Sequence, residues 1–403
     1  MTTKRRIAVL FGGRSPEHDV SAVTGLQALA AVDASAYDAF PVYISTDGNW
    51  FIGDPLRDRA SYLPDDNTRR ALTEVMLDAG GDGEGCLIPK KAGFFGRGGA
   101  KKFDAALLAF HGNQGEDGQI QGLFEMAGIP YTGMRTLASA ALMDKSVTKR
   151  LLAGHDIPQL DCVILRRPAE GVIMSGDALA EAVGNAKFPA CVKPCHLGSS
   201  IGVAKVNDME ELREVLPTIF RLDPVAIMEP FVPNLVEYNV AVATFDGAIR
   251  TSAIERPKRI AELLDFKEKY MSGGGGKKGG GKVPGAVSEG ILSLTRDINP
   301  ELPADVDAKI RNWAGEAFTA VGGTGAPRID FLGDAETGEI WLNEVNPCPG
   351  SFGYFLWEAS DPPMLFTELL THLIEEAVVE FHQSRLPSDP TPKDARLFKR
   401  PYE

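Results

Sequence analysis

The chain has 403 residues, 44% of them hydrophobic and 24% charged, more than one ordinary core can hold, which predicts two or three packed domains of a soluble globular protein. A formal net charge of −13 argues against a broad nucleic-acid or anionic-membrane surface and leaves room for a local basic pocket that takes a phosphorylated ligand. Five cysteines, at positions 86, 162, 191, 195 and 348, form no C-x-x-C pair and fit reduced thiols in a cytoplasm rather than a disulfide framework or a zinc knuckle.

Lys4, Arg5 and Arg6 precede an apolar run, but Ile7 to Phe11 is far shorter than a signal-peptide core, and no stretch is long enough to span a bilayer. Ile7 to Phe11 reads as a buried strand, Ser21 onward as a helix, and Ala39 to Ser45 and Ala105 to Phe110 as further strands, the alternation of an α/β unit. Gly12-Gly-Arg-Ser-Pro-Glu17-His-Asp-Val-Ser21 carries the first strand into its helix and places Glu17 at the strand's carboxyl end, where α/β proteins bind ligands. Ordinary helix N-terminal charge is the plainer reading of the same residue. Asp78 to Gly99 reads as an irregular surface insertion with hairpin-like pieces around Cys86 to Ile88. His111-Gly-Asn-Gln-Gly-Glu116-Asp-Gly repeats the strand-to-helix geometry, so the two loops can face one another. A capped helix follows, with an acidic first turn after Glu116, apolar Ile120, Leu123, Phe124 and Ala127, and a terminating Gly128. A domain boundary is placed near residue 135.

A helix holding Lys145 and Lys149 leads through a strand at Val163 to Leu165 to the strand Ala190 to Lys193. That strand ends in lysine and enters Pro-Cys-His-Leu-Gly198-Ser-Ser-Ile-Gly202, a phosphate cradle. Its glycines let the backbone close over an anion, Ser199 and Ser200 donate, and Lys193 supplies charge. The Walker spacing is absent, and a plain hairpin turn has a similar composition. His196 is read as a solvated loop residue. A strand and hinge follow at Val225 to Phe231, where Glu229-Pro-Phe-Val232 and then Glu237 can meet an adenine edge and a ribose, although two solvated acids would look the same. In Arg328-Ile-Asp330-Phe and Ile340-Trp-Leu-Asn-Glu344-Val-Asn346-Pro-Cys-Pro-Gly350, Glu344 and Asn346 share one strand face while Val345 turns into the core. Asp330 can join them from a neighbouring strand, giving hard oxygen ligands that suit Mg²⁺ held against nucleotide phosphates, with Arg328 as a fixed cation beside it. An isolated E-x-N is equally compatible with edge strands whose acids face water. The proline-bearing tail from Ser384 reads as poorly ordered.

Taken in order, FGGRSPEHDVS, HGNQGEDGQIQGLFEMAGIPYTG, MDKSVTK, FPACVKPCHLGSSIG, Glu229-Pro with Glu237, Glu268-Lys-Tyr270, RIDF and NEVNPCPG resemble the D-alanine-D-alanine ligases of the ATP-grasp superfamily over about residues 5 to 380. The resemblance implies an α/β chain with an ATP-grasp fold preceded by an N-terminal Rossmann-like parallel-sheet domain. The expected spans are 1–134 for that domain, 135–229 for a central lid subdomain, 230–385 for a catalytic subdomain with a mobile loop at 265–285, and 386–403 for a tail. It further implies a cytoplasmic ligase that joins two D-alanines through an acyl phosphate for peptidoglycan synthesis, using ATP and two Mg²⁺ (or Mn²⁺) ions. The expected partners are small molecules, ATP and D-amino acids, handled by a homodimer without nucleic acid or membrane.

Residue by residue, the resemblance implies that Lys145 and Lys193 hold ATP phosphates, with Ser199, Ser200 and Val232 also at the nucleotide, and that Glu229 and Glu237 meet adenine and ribose. Asp330, Glu344 and Asn346 match metal ligands. Glu17 matches the acid that grips the first D-alanine's ammonium, with His111 near its carboxylate, Ser199 and Tyr270 linked to Glu17, Lys269 at the γ-phosphate and Arg328 at the developing oxyanion. Two departures stand out. The segment from Met271 to Lys282 is unusually rich in glycine, which reads as a mobile linker costly to order; a flexible surface loop is the plainer reading, and its position in the resemblance implies a lid whose lysines meet nucleotide phosphates. After Gly350, the family's carboxylate-binding serine is replaced by Phe355, so Tyr354 or Ser351 substitutes for it or the second pocket accepts another amine or hydroxyl acceptor. Tyr270 favours an amine. Leu197 stands where the family commonly has an acid.

Overall fold

A computed structural model describes residues 4–62, 71–80, 83–91, 99–258 and 296–385. The apolar run predicted as the first strand is β1 (Arg5–Gly12), whose Ile7 to Phe11 are all buried because the strand is covered on both faces. It pairs in parallel with β2 (Tyr37–Ile44) on one side and β7 (Ala105–Leu108) on the other. The sheet continues beyond β2 through β3 (Trp50–Ile52), β4 (Thr73–Asp78), β5 (Gly85–Pro89) and β6 (Lys101–Phe103), all antiparallel. The N-terminal unit is therefore parallel only at its centre. The link from Ile44 to Trp50 is too short for a crossover, which needs a dozen residues or more, so the chain returns antiparallel. The segment read as an irregular insertion contributes β5 to this sheet, with Cys86 opposite Asp78 as the expected hairpin piece.

The second sheet, ordered β10-β9-β11-β8, holds β8 (Val163–Arg166), β9 (Ala190–Pro194), β10 (Ala204–Val206) and β11 (Val225–Pro230). The third, ordered β14-β13-β12-β15-β16, holds β12 (Leu235–Phe245), β13 (Ala248–Pro257), β14 (Arg296–Ile298), β15 (Arg328–Asp334) and β16 (Ile340–Asn346). Both are antiparallel throughout. The helices are α1 (His18–Ala31), α2 (Gln119–Met126), α3 (Thr136–Met143), α4 (Lys145–Leu152), α5 (Gly176–Val183), α6 (Met209–Leu222), α7 (Ala304–Ala320), α8 (Tyr354–Glu358) and α9 (Phe366–Ser384). Of the apolar set expected on α2, Ile120 and Phe124, with Ala127 just past its end, are buried, whereas Leu123 is at the surface.

One hydrophobic cluster joins the ends of the chain. Ile7, Val9 and Phe11 of β1 and Leu107 of β7 belong to the same core as Trp357 of α8, Leu369, Leu373 and Ile374 of α9, and Ala241 and Ala243 of β12. The carboxyl ends of β1 and β7 are thereby fixed beside the loop that follows β16. Gly12 makes the exit from β1 possible: at φ +96° a Cβ there would lie 2.1 Å from the Ile44 carbonyl oxygen, so only glycine turns the chain toward Glu17.

Candidate functional site

In the ladder of β15 with β16, Asp330 stands opposite Glu344 and Arg328 opposite Asn346. Ile329, Phe331 and Val345 are buried behind them, which leaves the four polar side chains on the other face. They line a cavity of about 390 Å³. Arg328 donates through Nε and Nη2 to the two oxygens of Asp330, each at 2.6 Å, and Asn346 Nδ2 donates to Asp330 Oδ2 at 2.8 Å. Burial, with the Glu344 and Glu255 charges behind it, pushes the Asp330 carboxyl up to about 6 in spite of Arg328.

The ladder carries a bulge between Asp330 and Phe331 on one side and Leu342 and Glu344 on the other, so Asn343 is an extra residue. Its carboxamide oxygen accepts from Lys193 Nζ at 2.8 Å. Sequence reading passed over Asn343, although Leu342 and Val345, both core residues three apart where strict alternation allows two or four, mark the break in phase.

The lysines arrive from the second sheet and its helix. Asp144 caps α4, accepting from Ser146 and Val147 N–H groups, and so fixes Lys145 at the helix start. Lys145 Nζ lies 3.0 Å from Glu344 Oε2 and donates to the Leu197 carbonyl at 2.9 Å. Burial works against the Glu344 charge, but Lys145 and Lys193 outweigh it and hold that carboxyl below its usual range. Lys193, at the end of β9, pairs with Glu229 at 2.8 Å, and Lys149 pairs with the same carboxylate at 2.7 Å. Lys149 was not among the expected site residues, though its i,i+4 spacing from Lys145 puts both on one helix face. A second cavity of about 140 Å³ adjoins the first, and Lys193, Ser200, Glu229, Phe231, Val232 and Glu237 are on its wall. Of the predicted nucleotide residues, Lys145, Lys193, Ser200, Glu229, Val232 and Glu237 surround this one space, while Ser199 lines only the first cavity.

From the N-terminal sheet, Glu17 precedes α1 and accepts a hydrogen bond from the Ser199 hydroxyl. Ser199 and Ser200 hold φ of +52° and +57°, the left-handed region that non-glycine residues enter at a cost. His111 is buried with Nε2 2.8 Å from Thr24 Oγ1, and burial pushes its pKa down to about 4, so the ring is neutral at pH 7. Glu116, read from sequence as a helix-start acid, instead bridges two loops. Its Oε2 accepts from Gly112 N at 2.6 Å and its Oε1 from Cys348 N at 3.0 Å, while burial pushes its carboxyl up to about 8.

Other expectations fell differently. His196 is half-buried rather than solvated, because Asp223 and Asp144 hold its two ring nitrogens at 2.9 and 3.2 Å. Gly350 lines the larger cavity, but Tyr354 and Phe355 do not. Tyr354 stacks on Phe366 with centroids 4.7 Å apart, and the Phe355 ring lies under the Arg296 guanidinium at 4.6 Å. Ser351 is also engaged, its hydroxyl with Gln27 and its N–H with Thr24 Oγ1 at 3.1 Å. Lys269, Tyr270 and the expected loop at 265–285 lie outside the described residues.

Known proteins resemble this chain over most of its length. The family profile described as "D-ala D-ala ligase N-terminus" matches residues 6–134, and "D-ala D-ala ligase C-terminus" matches residues 151–375. A D-alanine–D-alanine ligase of Deinococcus radiodurans is 34% identical, covering 94% of this chain and 99% of its own length. That of Thermosipho africanus is 32% identical, covering 94% and 95% respectively. Among solved structures, the D-alanine-D-alanine ligase from Coxiella burnetii superposes with a TM-score of 0.71 at 25% identity over 94% of this chain and 95% of that one.

Proposed function

The chain belongs to the D-alanine–D-alanine ligase family and is an ATP-dependent ligase, and we propose that it joins two D-alanines into D-alanyl-D-alanine for peptidoglycan synthesis by way of an acyl phosphate. One observation carries this reading: Asp330, Glu344 and Asn346 meet Lys145 and Arg328 on the wall of the cavity that also receives the Glu17–Ser199 contact. A carboxylate is a poor acyl donor. In the first step a carboxylate oxygen of the first D-alanine attacks the γ-phosphorus of ATP and ADP leaves. In the second, the other D-alanine's amine, having lost a proton, attacks the acyl carbon and inorganic phosphate leaves.

The chain's own groups divide this work. Glu17, held by Ser199, takes the first ammonium, and neutral His111 donates or accepts near its carboxylate without adding charge. Lys145 and Lys193 hold the phosphates, helped by the loop at Ser199 and Ser200, while Glu229, Val232 and Glu237 position adenine and ribose. Arg328 faces the developing oxyanion. Lys269 and Tyr270 complete the set in this reading. The donors Asp330, Glu344 and Asn346 are all oxygen once the Asn346 amide turns its carbonyl inward, and the facing carboxylates of Asp330 and Glu344 would hold a divalent cation between them. Two Mg²⁺ or Mn²⁺ ions held there would neutralise charge on the transferring phosphoryl group.

We assign residues 1–134, 135–229 and 230–385 as the working units, and a cytoplasmic homodimer as the working form. The free state of the five cysteines supports a reducing compartment, and light scattering tests the dimer. The decisive experiment is phosphate release with D-alanine, with single amino acids and with pairs. Release that needs no D-amino acid would defeat the reading.

The lack of a serine at position 355 favours a second reading, in which the same acyl phosphate meets another acceptor, even though the Phe355 ring itself lies off the cavity wall. An apolar ring packed under Arg296 supplies no hydroxyl, and a lost charge-assisted hydrogen bond is worth about 1.5–3 kcal/mol. Phe355→Ser should then lower the Michaelis constant for D-alanine at the second site. A parent enzyme that already binds the second D-alanine tightly, with no gain from the substitution, would eliminate this reading.

A further inference from the structure

Outside the cavity, the loop leading to Ser199 crosses the head of α4 and brings together three unlike donors. Cys195 Sγ lies 3.1 Å from Asp144 Oδ1, and His196 Nε2 lies 3.2 Å from Asp144 Oδ2. One ligand atom from each of the three residues falls within 4.8 Å of the others. Tetrahedral zinc with its usual bond lengths sets ligand atoms roughly 3.3–3.6 Å apart; the Nε2–Oδ2 contact already has the length of such an edge, and the thiol, now donating to Oδ1, must turn from it to face the ion.

The two oxygens of Asp144 are not equivalent. Oδ1 is committed to the helix cap, accepting from Ser146 N at 2.8 Å, Val147 N at 3.1 Å and Ser146 Oγ at 2.6 Å. Oδ2 meets His196, so an ion can take it without uncapping α4. On the far side of the imidazole, Nδ1 lies 2.9 Å from Asp223 Oδ1, and Asp223 is itself anchored by accepting from the N–H groups of His196 and Val225 at 2.7 and 2.9 Å. A carboxylate on one ring nitrogen with the other facing a candidate ligand is the arrangement that orients a metal-binding histidine. A cavity of about 470 Å³ lined by Asp144, His196 and Asp223 gives access and room for a water ligand.

We propose that Asp144 Oδ2, Cys195 Sγ and His196 Nε2 form a binding site for a borderline-soft divalent cation such as Zn²⁺, distinct from the oxygen-only site at Asp330, Glu344 and Asn346. Sulfur and nitrogen donors select against Mg²⁺. On binding, the Cys195 thiol proton and any proton on His196 Nε2 pass to solvent, while Nδ1–H stays on Asp223, so affinity falls as pH falls. The ion fixes residues 195 and 196 to α4. Leu197, whose carbonyl receives Lys145, follows directly.

The test uses the full chain in excess magnesium, with Co²⁺ as the spectroscopic probe and Zn²⁺ competed by a chromogenic chelator. One equivalent of Co²⁺ should give a thiolate-to-metal charge-transfer band that is lost in Cys195→Ser and kept in Cys162→Ser. Asp223→Asn, which leaves all three ligands in place, should weaken Zn²⁺ binding by roughly 10–100-fold. No band in the parent, a band that survives Cys195→Ser, or one that disappears with Cys162→Ser overturns the site. Should Cys195→Ser fail to fold, unchanged Zn²⁺ affinity in Asp223→Asn overturns it instead.

Discussion

Single side chains decide the charge balance of the cavity. Glu344→Gln keeps the shape of the side chain and removes one anion facing Lys145, so the fold should survive while magnesium-dependent turnover falls by roughly 10–100-fold or more, at least the loss seen when a ligand's outer partners are disturbed. A magnesium titration of phosphate release beside a thermal melt checks both halves, and near-parental turnover at ordinary magnesium refutes the assignment. Glu116 makes a different prediction, about pH. Its folded carboxyl sits near 8 against an ordinary 4.5, so the fold favours the protonated form. The associated stability is complete below pH 4.5 and is lost as pH climbs toward 8. Glu116→Gln cannot ionise and should flatten that slope, while leaving either the Gly112 or the Cys348 N–H without an acceptor at about 1–3 kcal/mol. Urea unfolding across this window reads both effects, and parallel parent and variant curves would contradict them. Asp330, Glu344 and Asn346 were legible because strand alternation is a local rule. Glu116 was not, since its partner Cys348 is 232 residues away and nothing near either residue announces the other.

At the level of elements, β16 offers a test that regular strands do not. Removing Asn343 makes Leu342 and Glu344 consecutive, and the pairs Phe331–Leu342 and Asp330–Glu344 already recorded in the ladder then follow one another without a break. The deletion should therefore fold, keep Glu344 and Asn346 facing the cavity, and take from Lys193 one hydrogen bond. For a charged donor that is about 1.5–3 kcal/mol, so the Michaelis constant for ATP should rise tenfold or more. Circular dichroism and ATP kinetics together decide it; an unfolded product, or unchanged ATP kinetics, would count against the bulge as a device for aiming Asn343. Elements with strong patterns were readable: the continuous apolar run of β1, the helix α2 with its terminating Gly128, and β9 with Lys193 near its end, whereas the acidic first turn expected of α2 is not there. The antiparallel extension β3 to β6 was not, because β3 and β6 span only Trp50–Ile52 and Lys101–Phe103, too short to show a period.

Across the whole molecule, the shared core makes the N-terminal unit dependent on the far end of the chain. Residues 1–134 produced alone would expose the face of β1 and β7 that belongs to one core with Leu369, Leu373 and Ile374, and they should show no cooperative melt by calorimetry. A sharp independent transition would refute that dependence. The contact between Glu17 and Ser199 has a further consequence. The Glu17 carboxylate accepts from the Ser199 hydroxyl, so an ammonium arriving at Glu17 must share or displace a hydroxyl that belongs to the loop beside Lys145. Amino acid and nucleotide therefore pull on a common hinge pin from opposite sides. Thermodynamic linkage then requires symmetry: whatever factor D-alanine imposes on the dissociation constant of a non-hydrolysable ATP analogue, the analogue must impose on that of D-alanine. Ser199→Ala, which cuts the pin and spares the carboxylate, should bring both factors toward one in paired titration calorimetry, and a coupling that persists unchanged would locate the conversation between the two ligands somewhere else.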